Sequence, residues 1–144
     1  MRRRIIFIAV LLQIILASSV FAESTQIING LNYLASTQNA DGSWTSGEES
    51  AIATAEAIET LKLLKQTGTA NYANALSWLQ NQSLESTNHI AERIYSLAAG
   101  GTDSTILVSY MDEHALAWGG YNDFIVDKLD TASALQALKS INYD

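Results

Sequence analysis

Cysteine and proline are both absent from the 144 residues. The first absence excludes disulfide frameworks, thiolate metal sites, cysteine nucleophiles and thioether lipid anchors. The second leaves helical segments without their strongest internal breaker. Basic residues are scarce, eight against fifteen acidic ones, and three of the eight are Arg2, Arg3 and Arg4. Beyond residue 22 only Lys62, Lys65, Arg93, Lys128 and Lys139 remain, scattered against all fifteen carboxylates, for a formal charge of −10. Phosphate binding depends on clustered Lys and Arg, so nucleic acid is a poor partner for this chain. A basic amphipathic face for a membrane surface is missing as well. With 48% hydrophobic residues the length suits one domain with a real core rather than two.

The start of the chain has its own physics. A basic tip is followed by an apolar run over residues 5–16, broken by Gln13, and by a small-residue exit at Val20-Phe21-Ala22. That is the layout of a secretory signal peptide with cleavage after Ala22. The competing reading, a retained anchor, needs roughly 20 predominantly apolar residues and must include Ser18 and Ser19. We therefore expect an exported protein (extracellular, periplasmic or cell surface) with residues 1–22 as signal peptide and residues 23–144 as the domain, without stable membrane insertion after cleavage.

The rest reads as short helices. Ile27, Ile28, Leu31, Leu34 and Ala35 recur at helical spacing after Ser24, a candidate N-cap. Ile52, Ala55, Ile58, Leu61 and Leu64 form a second segment, expected to end at Gly68 in the left-handed conformation. Tyr72, Ala75, Leu76 and Leu79 follow Asn71, and Ile90, Ala91, Ile94, Leu97 and Ala98 run into Gly100-Gly101. Ile106, Leu107, Tyr110, Met111 and His114 make a fifth segment, and Thr131, Ala134, Leu135, Leu138 and Ile141 a sixth. No sustained alternation or hairpin signal suggests strands.

An internal repeat orders these segments. Thr54-Ala55-Glu56-Ala57-Ile58-Glu59-Thr60-Leu61 aligns with Thr131-Ala132-Ser133-Ala134-Leu135-Gln136-Ala137-Leu138, with Trp44 ten residues before the first and Trp118 thirteen before the second. A middle copy, without Trp, falls on Ile90-Ala91-Glu92-Arg93-Ile94-Tyr95-Ser96-Leu97, and Gly30-Leu31-Asn32-Tyr33-Leu34 resembles Ala75-Leu76-Ser77-Trp78-Leu79. Three helical hairpins of roughly 40 residues each follow, a period of helical repeat proteins. Alanines such as Ala53, Ala55, Ala57, Ala132, Ala134 and Ala137 either let inner helices approach closely or simply favour helix.

The first hairpin carries Gly30-x-x-Tyr33-Leu34-x-x-x-Gln38-x-x-x-Gly42-x-Trp44, with Asn39 and Asp41 completing the string QNADGSW. This resembles the Gln-Trp repeat of the squalene–hopene cyclase, oxidosqualene cyclase and protein prenyltransferase superfamily. The resemblance implies an all-α fold, a partial α/α toroid of about three helical hairpins. The later copies depart from the pattern: Ser83 stands where the second Gln belongs, with no Gly-x-Trp after it. The third keeps Trp118-Gly119-Gly120 but has Asp112 near the Gln position. The resemblance also implies that Gln38, Asp41, Gly42 and Trp44 tie outer helices together rather than touch substrate. From the residues themselves, Gln38 can bond free carbonyls or the amides of the next helix, and Trp44 can plate over the polar cluster.

Catalytic strings of that superfamily are missing. The cyclase D-x-D-D acid, the zinc site that uses Cys, and the thioester string of a further branch have no counterpart in the sequence. His89 and His114 lie 25 residues apart, and Asp112-Glu113-His114 points its side chains in different directions if helical. His114 reads better as a partly buried helix-end histidine, and no metal or cofactor is expected. Asp127 and Asp130 share a helical face and could form an acid pair or bind a cation, but an N-cap before Thr131 is favoured. A cleft for sugar or isoprenoid could involve Trp118, Tyr121, Asp123, Phe124 and Asp127, against the alternative that the aromatics are packing. Toroids of the superfamily close with more than three hairpins, and Ile141 and Tyr143 make no polar cap. The expectation is a secreted repeat module without a catalytic constellation, acting in binding or as part of a larger surface protein. The alternative is the N-terminal part of a terpenoid cyclase-like or glycan-active toroid enzyme, whose catalytic residues lie elsewhere. Missing C-terminal hairpins or self-association would complete the ring in either case.

Overall fold

A computed structural model describes residues 24–144; the signal peptide expected over residues 1–22 lies outside the described residues. The described chain is all-α, with six helices: α1 (Thr25–Thr37), α2 (Ser50–Leu63), α3 (Ala70–Gln80), α4 (Thr87–Leu97), α5 (Gly101–Ser109) and α6 (Lys128–Ser140). None of the described helices is long and apolar enough to cross a membrane. The chain divides into two compact units, one ending at Tyr33 and one spanning Leu34–Asp144.

In the first unit residues 24–33 form the start and body of α1. Ser24 Oγ accepts the Ile27 N–H at 3.3 Å, the N-capping bond its position suggests. None of the residues of α1 is buried, so Ile27 and Ile28 stay exposed instead of forming core. The apolar spacing produces the helix here, but not burial.

The second unit is a row of helices. Central α4 packs most extensively on α6 and next on α2, while α3 lies against α2 and α5 against α4. One core cluster joins Ile90, Ala91 and Ile94 of α4 to Ala134 and Ala137 of α6, with Leu107 and Trp118. Alanine at those α6 positions lets the two helices come close. Leu135, an expected core residue, is instead exposed on the far side of α6.

Helix ends depart from the glycine rule. Helix α2 ends before Gly68, with Lys65 left-handed at φ 58°, the Gln66 N–H bonded to the Leu61 carbonyl and the Lys65 N–H to that of Lys62. That pair of bonds is a Schellman motif. Ala98 at φ 50° and Asn142 at φ 51° close α4 and α6 in the same way, so Gly100 lies beyond one helix and Gly101 opens the next. Helix α3 is capped by Thr69, whose hydroxyl accepts the Tyr72 N–H, rather than starting after Asn71. Helix α5 stops at Ser109, which leaves His114 in an exposed loop, not at a helix end. That loop, held by single bridges from Asp112 to Ala117 and from Gly119 to Val126, carries the chain to α6.

Candidate functional site

The two tryptophans of the repeat make the same pair of bonds. Trp44 donates its backbone N–H to Thr54 Oγ1 at 3.1 Å and its indole N–H to the Leu34 carbonyl at 3.0 Å. Trp118 donates its backbone N–H to Thr131 Oγ1 at 3.0 Å and its indole N–H to the Leu107 carbonyl at 2.6 Å. Leu34 and Leu107 sit in the last turns of α1 and α5, where helical carbonyls lack intrahelical donors. Each indole thus satisfies one helix end, and each threonine anchors the same loop to the next helix. The equivalence fixes the register of the repeat in space, with Thr54 matched to Thr131.

Gln38 makes its cross-links through carbonyls, the first of its two expected kinds of partner, and not through the amides of the next helix. Its amide donates at 2.9 Å to the Gly42 and Asn71 carbonyls, and its own carbonyl accepts from the Asn71 side chain at 2.7 Å. Asp41 accepts from the Ser43 N–H at 3.0 Å and from the indole of Trp78 at 3.1 Å, which binds the loop to α3. The Ser43 bonds hold the Asp41 carboxyl below its ordinary range. A side chain on Gly42, at φ 100°, would meet the Asn74 carbonyl oxygen at 2.5 Å. Gly119 is equally confined: its Cβ would lie 2.5 Å from the Ile125 oxygen. Gly30 and Tyr33 are exposed on α1. Asp112, near the third Gln position, stays within its own loop, accepting from the His114 and Ala115 N–H groups, which lower its pKa.

The aromatic and acidic cleft residues are not brought together. Trp118 is 4% exposed and belongs to the core, because its indole is needed at the end of α5. Tyr121 packs against Phe124 with the rings tilted and their centres 5.3 Å apart, and borders a hollow of about 330 Å³ with Glu49, Asn88, His89 and Asp130. Asp123, left-handed at φ 61°, lies on a separate hollow with His114 and Phe124. Asp127 caps α6, accepting the Leu129 N–H at 2.7 Å and the Asp130 N–H at 3.0 Å. The neighbouring carboxyls split: contact with Asp130 lowers Asp127, whereas burial, and then Asp127, push Asp130 up to about 6. Among the described residues no group of three His, Asp or Glu is placed to hold a metal ion.

Two features went unread in the sequence. Arg93, one of the scattered cations, is buried and grips both oxygens of Asp103 at 2.6 Å while also donating to the Gln82 carbonyl. It ties α4 to α5 and to the end of α3. The second is a hollow of about 480 Å³ on one face of the helical row, lined by Glu56, Glu59, Glu92, Tyr95, Leu63 and Gln136. Burial, reinforced by Glu56 and Glu59, raises the pKa of Glu92. Lys62 neutralises Glu59 at 2.7 Å. The repeat held the signal: Glu56 aligns with Glu92, and Glu59 with Tyr95 and Gln136. Such an acid can donate a hydrogen bond to a ligand oxygen, with neighbouring carboxylates accepting from hydroxyls or amines.

No family model, curated protein or solved structure matches this chain.

Proposed function

We propose that the chain is an exported helical repeat module of the prenyltransferase/squalene-cyclase type, a partial toroid that binds a ligand or forms one piece of a larger surface protein. The carrying observation is the paired clamp of Trp44 with Thr54 and Trp118 with Thr131. Trp44 and Trp118, two of the residues that give the sequence its family resemblance, are occupied in joining helices, as Gln38 and Asp41 also are. Export rests on the Arg2-Arg3-Arg4 tip, the apolar run and the Ala22 exit. This reading requires no cofactor and no nucleic acid.

One observation favours a second reading, a glycan-active toroid. Glu92 is held toward its protonated form beside two carboxylates in the 480 Å³ hollow, a setting in which a general acid works. Incubating the exported chain with insoluble chitin, cellulose and a uronic-acid polymer separates the two readings. Retention on a polymer without new reducing ends is the result expected of a module. Reducing-end release that disappears in Glu92→Gln would replace it with the enzyme. Amino-terminal sequencing of the exported chain should begin at Glu23, and a chain that keeps Met1 overturns the export assignment.

A further inference from the structure

The three inner helices α2, α4 and α6 repeat one packing contact. Their amino-terminal ends gather at one place, where Thr87 Oγ1 donates to the Gly119 carbonyl at 2.5 Å and Glu49, His89 and Asp130 line one hollow. The helices therefore run parallel. In the register fixed by the tryptophan clamps and the aligned copies, Ala55 of α2, Ala91 of α4 and Ala132 of α6 are equivalent, as are Ile58, Ile94 and Leu135. Between α2 and α4, Ser96 Oγ donates to the Ala55 carbonyl at 3.4 Å, and Lys62 Nζ donates to the Ser96 carbonyl at 3.2 Å. Between α4 and α6 the corresponding pair, Ala91 and Ala137, lies buried in one core cluster.

The same positions are open at the two ends of the row. Ile58 and Ile94 are 0% exposed, whereas Leu135 is 55% exposed, and Ala132 beside it is exposed too. At the other end Thr60, the equivalent of buried Ser96, is exposed on α2 next to Glu56. Thus α6 presents the surface with which α2 holds α4, and α2 presents the surface with which α4 meets α2. Charge agrees with the pairing: the open α6 stripe of Lys128, Ala132, Leu135 and Lys139 bears two of the five cations beyond residue 22, and exposed Glu56 stands one turn from Thr60 on α2. Lys139 is the register equivalent of Lys62.

We propose that the open face of α6 docks α2 of a second copy of this chain, head to tail, through a repetition of its own α2–α4 contact. Ala132 then faces Thr60 of the second copy, Leu135 is covered, and Lys139 donates to the carbonyl of that Thr60 as Lys62 does to that of Ser96. The surfaces differ, so the contact is heterologous and builds a closed ring or a filament rather than a two-fold dimer. The proposal rests on contacts between hairpins and stands apart from the family reading.

The chain contains no cysteine, which makes site-directed cross-linking unambiguous. Ala132→Cys and Thr60→Cys proteins, each produced separately as the whole chain, are mixed and oxidised. A disulfide-linked mixed dimer, with each protein alone remaining largely uncross-linked, is the expected result. Leu135→Asp and Lys139→Glu change exposed residues, so their helical melts should match the parent while self-association weakens at least about tenfold by sedimentation. A parent that stays monomeric to roughly 100 µM overturns the proposal and leaves a different polypeptide as the occupant. Ala132→Cys linking to itself as readily as to Thr60→Cys also overturns it, in favour of a two-fold contact.

Discussion

At the scale of single residues, the polar groups that matter most are few and almost all serve to join elements. Thr54 is fully buried, and its hydroxyl is the acceptor for the Trp44 backbone N–H. Thr54→Val keeps the shape and removes that acceptor, so an N–H is stranded in the core at a cost of about 1–3 kcal/mol. Urea titration should show the loss, with Thr54→Ser recovering most of it. Thr131→Val should cost less, because that site is only partly buried. Asp130 gives the pH dependence. Its carboxyl titrates near 3.8 in an unfolded chain and is pushed up to about 6 in the fold, so between those values the native state binds the extra proton. Stability from this group therefore rises as pH falls from about 6 toward 4. Asp130→Asn should raise the melting temperature at pH 7 by a few degrees and flatten the acid-side gain. An unchanged pH profile would show that Asp127 and solvent already absorb the charge. Gln38, Asp41 and the tryptophans were legible as architecture because their spacing is local. Arg93 was not, since its worth depends on Asp103 and on carbonyls at the end of α3 that only folding assembles.

At the scale of elements, the hydrophobic period located five of the six described helices and only the second half of α5, which starts at Gly101 and stops at Ser109, while helix ends followed chemistry the period does not contain. Glycine markers at Gly68 and Gly100 suggested helix ends that the chain reaches earlier, through Lys65 and Ala98 in left-handed conformation. An alanine there bears steric strain that glycine lacks. Ala98→Gly should stabilise the protein by about 0.5–1 kcal/mol, read as a later thermal transition with unchanged helicity. A destabilised variant would mean that glycine's extra freedom in the unfolded chain outweighs the relieved strain. The last segment shows the other limit of periodicity. Thr131, Ala134, Leu135 and Leu138 all fit a helical stripe, but α6 buries Ala134 and Ala137 and exposes Leu135. Sequence spacing reports which residues share a face, and packing decides which face has a neighbour.

At the scale of the whole molecule, the repeat sorts helices by how many neighbours they have. Helix α4 packs against α2, α3, α5 and α6, and buries Thr87, Ile90, Ala91, Arg93, Ile94 and Ser96 around its circumference. The Arg93–Asp103 pair and the Lys62 bond to the Ser96 carbonyl add polar ties to that helix. Helix α1 buries none of its residues. Amides exchange through local openings whose free energy follows the contacts that must be broken. Hydrogen exchange should therefore find α1 fastest and α4 slowest, with α6 between them because only its Ala134 and Ala137 side is buried. If two copies dock as inferred, raising the concentration should slow exchange at Ala132 and Leu135 and at Thr60, and leave the already protected α4 unchanged. Uniform slowing across all helices would instead mean that association stabilises the fold globally, and equal protection of α1 and α4 would contradict the row-like distribution of contacts itself.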